Sequence, residues 1–183
     1  RAVRGEHHLS KLIDKTICSL YHFGIDNSIL RLIMESIIPR FFTSPKESFF
    51  LFGPRGTGKS TWLRTITKNT LWVDLLEPDT FRAYSAHPER LRELVLGNKQ
   101  KKVIIVDEIH KVPDLLSVVH ALIERKQGWQ FVLTGSSSRK LKRTGIDLLA
   151  GRVLNLSLHP FMAAELGKKF SFIQALRFGL LPL

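Results

Sequence analysis

Residues 49–62 read FFLFGPRGTGKSTW, and this stretch decides the fold. It fits the spacing G-x-x-x-x-G-K-[ST] through Gly53, Gly58, Lys59 and Ser60. The aromatic and aliphatic run that precedes the loop is typical of a buried strand, and the apolar residues that follow it recur at helical spacing. The order of strand, glycine-rich loop and helix is the context that this motif requires, so the sequence predicts a phosphate-binding loop.

The residue types of this loop suit a polyphosphate. Glycines allow the backbone to approach closely, and amides at the start of a helix can point at an anion. Lys59 supplies a positive charge for the β- and γ-phosphates, and the hydroxyl of Ser60 suits Mg²⁺. A glycine-rich turn that binds nothing is the alternative, but the flanking strand and helix argue against it. We expect the nucleotide to contact the whole loop: Gly53, Pro54, Arg55, Gly56, Thr57, Gly58, Lys59, Ser60 and Thr61.

The composition describes a globular chain. Its 183 residues are 44% hydrophobic, which is enough for one domain with a substantial core. The single cysteine excludes an intrachain disulfide and fits a reducing compartment, so we expect a cytoplasmic protein. No uncharged apolar run is long enough to cross a membrane, so we expect no membrane partner.

The net charge of +12 raises the question of an acidic partner. A basic chain can bind nucleic acid or an acidic protein surface. The basic residues are spread along the chain, and their densest cluster lies at residues 139–143. The alternative is a solvated helix face together with cations that hold nucleotide phosphates. Charge alone therefore supports a nucleic-acid partner only weakly.

Strand and helix patterns alternate after the phosphate loop. Further strands are predicted at residues 70–75, 103–106, 130–133 and 153–158, with helical patterns between them. Such alternation predicts a parallel α/β sheet. Ligands of these sheets sit beyond the carboxyl ends of the strands. Polar residues that directly follow a predicted strand can therefore converge on one site: Gly53, Asp107, Thr134 and Ser136.

An acidic pair follows the most apolar predicted strand. Asp107 can hold hydrated Mg²⁺ opposite the Ser60 hydroxyl, because Mg²⁺ prefers oxygen ligands and keeps several waters. Glu108, one residue further, can orient and deprotonate an attacking water. An ordinary acidic junction between strand and loop is the alternative. The position of the acidic pair, after a phosphate loop and one intervening strand, favours the functional interpretation.

These elements resemble the Walker A, Walker B and sensor-1 elements of AAA-type P-loop ATPases. The extra strand between the first two is typical of the division that uses a catalytic glutamate. About three quarters of the chain more narrowly resembles a prokaryotic AAA family, through phrases in the order FLFGPRGTGKS, DEIHKVP, LTGSS, LAGR and HPF. The resemblance implies a three-layer sandwich, a five-stranded parallel sheet in the order 5-1-4-3-2 with helices on both faces, ATP as the nucleotide and Mg²⁺ as the metal.

The resemblance also implies roles for individual residues. Lys59 and Glu108 match catalytic positions, and Thr134 and Ser136 are candidates for sensor 1, where many AAA proteins carry asparagine. Arg152 falls where an arginine finger can lie, and a structural ion pair is its alternative role. His110 is interpreted as part of a connector between the site and the following helix, with a direct role in the site as the alternative.

The resemblance covers only the later part of the chain. We expect residues 1–33 to be a helical extension of unassigned role and residues 34–183 to be the ATPase domain. The family usually continues into a helical lid and a nuclease-like domain, so we expect the chain to be truncated at its carboxyl end. The predicted activity is Mg²⁺-dependent ATP hydrolysis at the β–γ bond. The alternative is a nucleotide-dependent switch with little turnover that acts on DNA, on a protein partner or within a homo-oligomer.

Overall fold

The computed structural model of the chain describes residues 38–67, 69–136 and 149–182. The chain divides into two compact units, Arg1–Phe41 and Phe42–Leu183, and the second contains the phosphate loop. The predicted helical extension of residues 1–33 and the basic cluster at residues 139–143 lie outside the described residues.

The strands of the second unit form one parallel sheet in the order β2-β3-β4-β1-β5. This is the predicted order read from the other edge, so the predicted fold class is confirmed. The strands are β1 (Phe49–Phe52), β2 (Thr70–Asp74), β3 (Val103–Asp107), β4 (Gln130–Gly135) and β5 (Leu154–Ser157).

Helices connect these strands. Their bounds are α1 (Lys59–Ile66), α2 (Pro78–Ala86), α3 (Arg90–Gly97), α4 (Leu115–Glu124), α5 (Ala163–Leu166) and α6 (Phe172–Phe178), with short 3₁₀ helices at Ile109–Lys111 and Gly167–Lys169. No helix within the described ranges is both long and apolar enough to cross a membrane.

The core has two parts because consecutive strand residues point to opposite faces of the sheet. Phe50, Ile104 and Phe131 belong to one cluster, which includes buried residues of α3 and α4. Phe49 and Val132 belong to the other, which includes Trp62 and Leu63 of α1. The central strands β3, β4 and β1 are buried on both sides, so helices cover both faces and the unit has three layers.

Two central strands run further than their apolar patterns predict. β3 extends to Asp107, which pairs with Asp74 of β2, and β4 includes Thr134, which pairs with Leu51 of β1. Backbone pairing therefore carries these polar residues into the sheet, where both side chains are buried. This places their polar atoms at the carboxyl edge within reach of one another.

Gly53 marks the point where the chain leaves β1. Its φ of +154° is rare for residues with a side chain, and a Cβ placed there would lie 2.2 Å from the carbonyl oxygen of Leu158. Leu158 directly follows β5 and donates its N–H to Phe52 O at 2.7 Å. The glycine therefore allows β5 to approach the start of the phosphate loop.

We predict that Gly53→Ala destabilises the chain by about 3 kcal/mol, because the new methyl group must displace a backbone carbonyl in a strained conformation. Thermal and denaturant unfolding followed by circular dichroism would measure this. The matched control is Gly97→Ala, since Gly97 lies in α3 with nothing near its added Cβ. The control should be neutral or stabilising by up to about 1 kcal/mol. Equal effects of the two substitutions would contradict this account of Gly53.

Candidate nucleotide-binding site

The phosphate loop is closed by its own hydrogen bonds. Thr57 is fully buried, and both its N–H and its hydroxyl donate to Pro54 O, at 3.3 Å and 2.9 Å. Gly56 and Gly58 have φ values of +85° and +81°, which glycine adopts without a steric cost. Gly58 precedes α1 and accepts the N–H of Trp62 at 2.8 Å. The loop thus leads directly into the amino end of a helix, where backbone N–H groups favour anions.

Lys59 lies inside this loop. Its side chain is buried, and its ammonium group donates to Gly53 O at 2.7 Å and to Pro54 O at 3.1 Å. Burial lowers the pKa of Lys59, and the carboxylates of Glu108 and Asp107 act in the opposite direction. The loop therefore holds a buried ammonium group that interacts with both carboxylates of the acidic pair.

Ser60 joins the loop to β3. Its hydroxyl donates to Asp107 Oδ2 at 2.8 Å, and Asp107 is buried. A hydroxyl and a carboxylate oxygen are a donor set that suits Mg²⁺, which takes few protein ligands and completes its shell with waters and substrate phosphates. Across the described ranges, no group of three or more His, Cys, Asp or Glu side chains could hold a metal. The residues present therefore fit a metal held jointly with a nucleotide.

Thr134 connects the two members of the acidic pair. Its hydroxyl donates to Asp107 Oδ1 and accepts the backbone N–H of Glu108, the latter at 3.0 Å. The side chain is fully buried. Among the described residues, both functions of the hydroxyl are thus used within the protein, so Thr134 is placed to orient Asp107 and Glu108.

Ser136, the other candidate for sensor 1, lies closer to solvent. Its backbone N–H donates to Glu108 Oε2 at 3.3 Å, and its side chain is partly exposed. The structure therefore brings Ser136 beside the glutamate, in a partly exposed position. Sequence reasoning placed both hydroxyl residues at this edge of the sheet without separating their roles, which depend on hydrogen bonds between strands.

Arg152 lies elsewhere. It precedes β5, whose first residue Leu154 pairs with Phe49, the first residue of β1, so it lies at the amino edge of the sheet. Its guanidinium group forms an ion pair with Glu124 and lowers the pKa of that carboxyl group. The structure does not bring Arg152 to the phosphate loop of its own chain, and the contact it does show is the structural alternative.

His110, which the sequence predicts to be part of a connector, is a neighbour of Glu108. Its Nδ1 atom lies 3.0 Å from Glu108 Oε2. The signal available in the sequence was its spacing, two residues after the glutamate, but that spacing does not show where the turn directs the imidazole.

Comparison with known proteins identifies the family. The model of the AAA domain family matches residues 45–167. Two curated relatives, the uncharacterized proteins Mb2031c of Mycobacterium bovis and Rv2008c of Mycobacterium tuberculosis, are each 31% identical over 136 residues. The matched region is 72% of this chain and 29% of each relative, so the chain spans less than a third of their length.

A solved structure is also similar in outline. The Aeropyrum pernix ORC1 protein, determined in complex with DNA, matches with a TM-score of 0.48 at 16% identity, over 75% of this chain and 46% of that chain. The family assignment does not depend on this match. The family model covers more than half of the chain and spans the phosphate loop, the acidic pair and the ends of the central strands. The chain therefore belongs to the AAA domain family, and its second unit is an AAA-type P-loop ATPase domain, a nucleotide-binding fold.

Proposed function

We propose that the chain binds ATP together with Mg²⁺ and hydrolyses the bond between the β- and γ-phosphates. The observation that carries this proposal is the hydrogen bond from Ser60 to Asp107, which joins the phosphate loop to the acidic end of β3. A loop that served only as a turn would not require a hydrogen bond to a buried carboxylate. Paired with Lys59 inside the loop, this arrangement suits a polyphosphate and a hydrated cation.

In the proposed complex, the amides of residues 56–60 and the ammonium group of Lys59 bind the phosphate oxygens. Ser60 and Asp107 hold Mg²⁺. When bound, Mg²⁺ would neutralise negative charge on the phosphate oxygens. Lys59 must exchange its hydrogen bonds to Gly53 O and Pro54 O for bonds to phosphate, which keeps the buried cation paired.

Glu108 is the proposed general base. The oxygen of a water attacks the γ-phosphorus while the bond to the β–γ bridging oxygen breaks, and that oxygen leaves with the electron pair. Glu108 accepts the proton that the water loses. Ser136 contacts Glu108 through its backbone N–H, and its hydroxyl is the proposed group that helps position the water. Thr134 orients the Asp107 carboxylate and holds the backbone N–H of Glu108. The products are ADP and inorganic phosphate.

The alternative is a nucleotide-dependent switch with little turnover. The Glu108 carboxylate already contacts two groups of the protein, the Ser136 N–H and the His110 imidazole, which is compatible with a base held in reserve. A homo-oligomer, a protein partner or DNA could then respond to the nucleotide. We place the protein in the cytoplasm, on its single cysteine.

We predict that Lys59→Ala weakens binding of Mg·ATP at least tenfold, or about 1.4 kcal/mol, because it removes the one buried cation of the loop. Isothermal titration calorimetry would measure this. The control is Lys46→Ala, which removes the same charge from an exposed residue just before β1. Unchanged affinity in Lys59→Ala, or no heat with the wild-type chain, would refute the proposed binding site.

We predict that Glu108→Gln lowers the rate of phosphate release by about 10²-fold or more while ATP affinity stays within a few-fold, since it removes the base and keeps the shape. Single-turnover phosphate release and calorimetry would measure the two quantities. The control, Glu93→Gln, removes a carboxylate from an exposed position on α3. If wild type and Glu108→Gln bind ATP equally and are equally slow, the switch is the better description and hydrolysis is excluded.

A further inference from the structure

Among the residues that the structure describes, the Glu108 carboxylate has two polar contacts, and both meet the same oxygen. The Ser136 N–H donates to Oε2 at 3.3 Å, and His110 Nδ1 lies 3.0 Å from Oε2. Both contacts fall on Oε2, so neither of these neighbours engages Oε1. The side chains of Glu108 and His110 are 17% and 23% exposed, so most of the surface of this pair is covered by protein.

Backbone geometry produces this contact. Glu108 has a φ of +57° and a ψ of +48°, a left-handed conformation that is uncommon for residues other than glycine. The chain then forms the 3₁₀ helix Ile109–Lys111, in which the N–H of Lys111 donates to Glu108 O at 3.0 Å. This tight turn brings residue 110 back beside the glutamate. Such strain persists only where the surroundings enforce it, and it is concentrated at functional sites.

Three contacts hold the turn in place. The N–H of Glu108 is bonded to Thr134, the side chain of Ile109 is fully buried, and Lys111 Nζ donates to Leu75 O at 3.1 Å. The His110 imidazole is therefore presented by a turn anchored before and after it. Groups on anchored turns hold their neighbours more precisely than groups on free loops.

The Nδ1 atom of His110 is buried and has no hydrogen-bond partner in the part of the chain that the structure describes. Its distance to Glu108 Oε2, 3.0 Å, is short enough for a hydrogen bond, but the atom does not form one. A buried polar atom without a partner costs free energy, so a small rotation that completes this bond is favourable. Glu108 is the acceptor within reach.

We propose that His110 is a positioning residue that orients the Glu108 carboxylate for attack of water on ATP. The inference rests on the proposed function, since it assigns His110 to the same base. After that small rotation the imidazole and the Ser136 N–H both donate to Oε2, which leaves Oε1 to accept the proton of the water. His110 takes no part in the chemistry itself. Misplacement of a catalytic group by about 1 Å can cost on the order of 10²-fold in rate.

Two substitutions separate polar contact from volume. His110→Asn keeps a donor at the position of Nδ1, whereas His110→Leu fills similar space without one. We expect His110→Leu to lower kcat about tenfold or more with KM and ATP affinity little changed, because misplacing the base slows the chemical step. We expect His110→Asn to stay within about threefold of the wild type, because it restores the contact.

The effect of His110→Leu is measured in two backgrounds, the wild type and Glu108→Gln. In Glu108→Gln the base is already lost, so adding His110→Leu should change the residual rate less than about twofold. The control is His120→Leu: His120 on α4 also has a buried ring nitrogen near a glutamate, with Nε2 3.6 Å from Glu124, but it is remote from the phosphate loop. It should change unfolding temperature without changing kcat.

The outcomes separate this inference from the proposed function. If Glu108→Gln reduces turnover but His110→Leu does not, or if His110→Leu costs as much in both backgrounds, the positioning role is overturned and hydrolysis stands. If wild type and Glu108→Gln turn over equally slowly while both bind ATP, the proposed hydrolysis and the positioning role fail together. A tenfold loss in His110→Leu with recovery in His110→Asn supports the inference.

Discussion

The hydrogen bond between Ser60 and Asp107 is the interaction on which the rest of the site depends. The two residues are 47 positions apart in the sequence. Ser60 lies in α1, which follows β1, and Asp107 is the last residue of β3. β1 and β3 are not neighbours, because β4 lies between them in the sheet. The bond therefore forms only when three parallel strands are in register and their carboxyl ends are level. Thr134 of β4 bonds to the same carboxylate from the intervening position.

Buried charge is the second constraint. Lys59 and Asp107 are both removed from water, and each would be costly alone. Backbone carbonyls satisfy the ammonium group, and two hydroxyl groups satisfy the carboxylate. The members of this network depend on one another, since removing one leaves another buried polar group without its partner. A site of this kind is organised before its ligand arrives, which reduces the reorganisation that binding and catalysis require.

Much of the fold was predictable because its signals are local. Each of the five predicted strands is present within a residue or two of its expected bounds. The signal is strongest for β1, β3 and β4, whose apolar runs are buried in the parallel sheet. Strand ends were less predictable: Asp107 and Thr134 look like loop residues by type, yet pairing with neighbouring strands retains them in β3 and β4. For Arg152 the sequence leaves an arginine finger and a structural ion pair both open, because the partner, Glu124, lies 28 residues away in the chain.

Glycine spacing and hydrophobic period in the sequence are enough to predict the phosphate loop, the parallel α/β class and the side chains that gather at the carboxyl edge. The contacts that those side chains make with one another depend on the tertiary structure. It ties Thr134 to both acids, sets Ser136 beside Glu108 and brings His110 against the same carboxylate oxygen. Hydrogen bonds act over about 3 Å, so their partners depend on strand register and on one strained turn rather than on residue type.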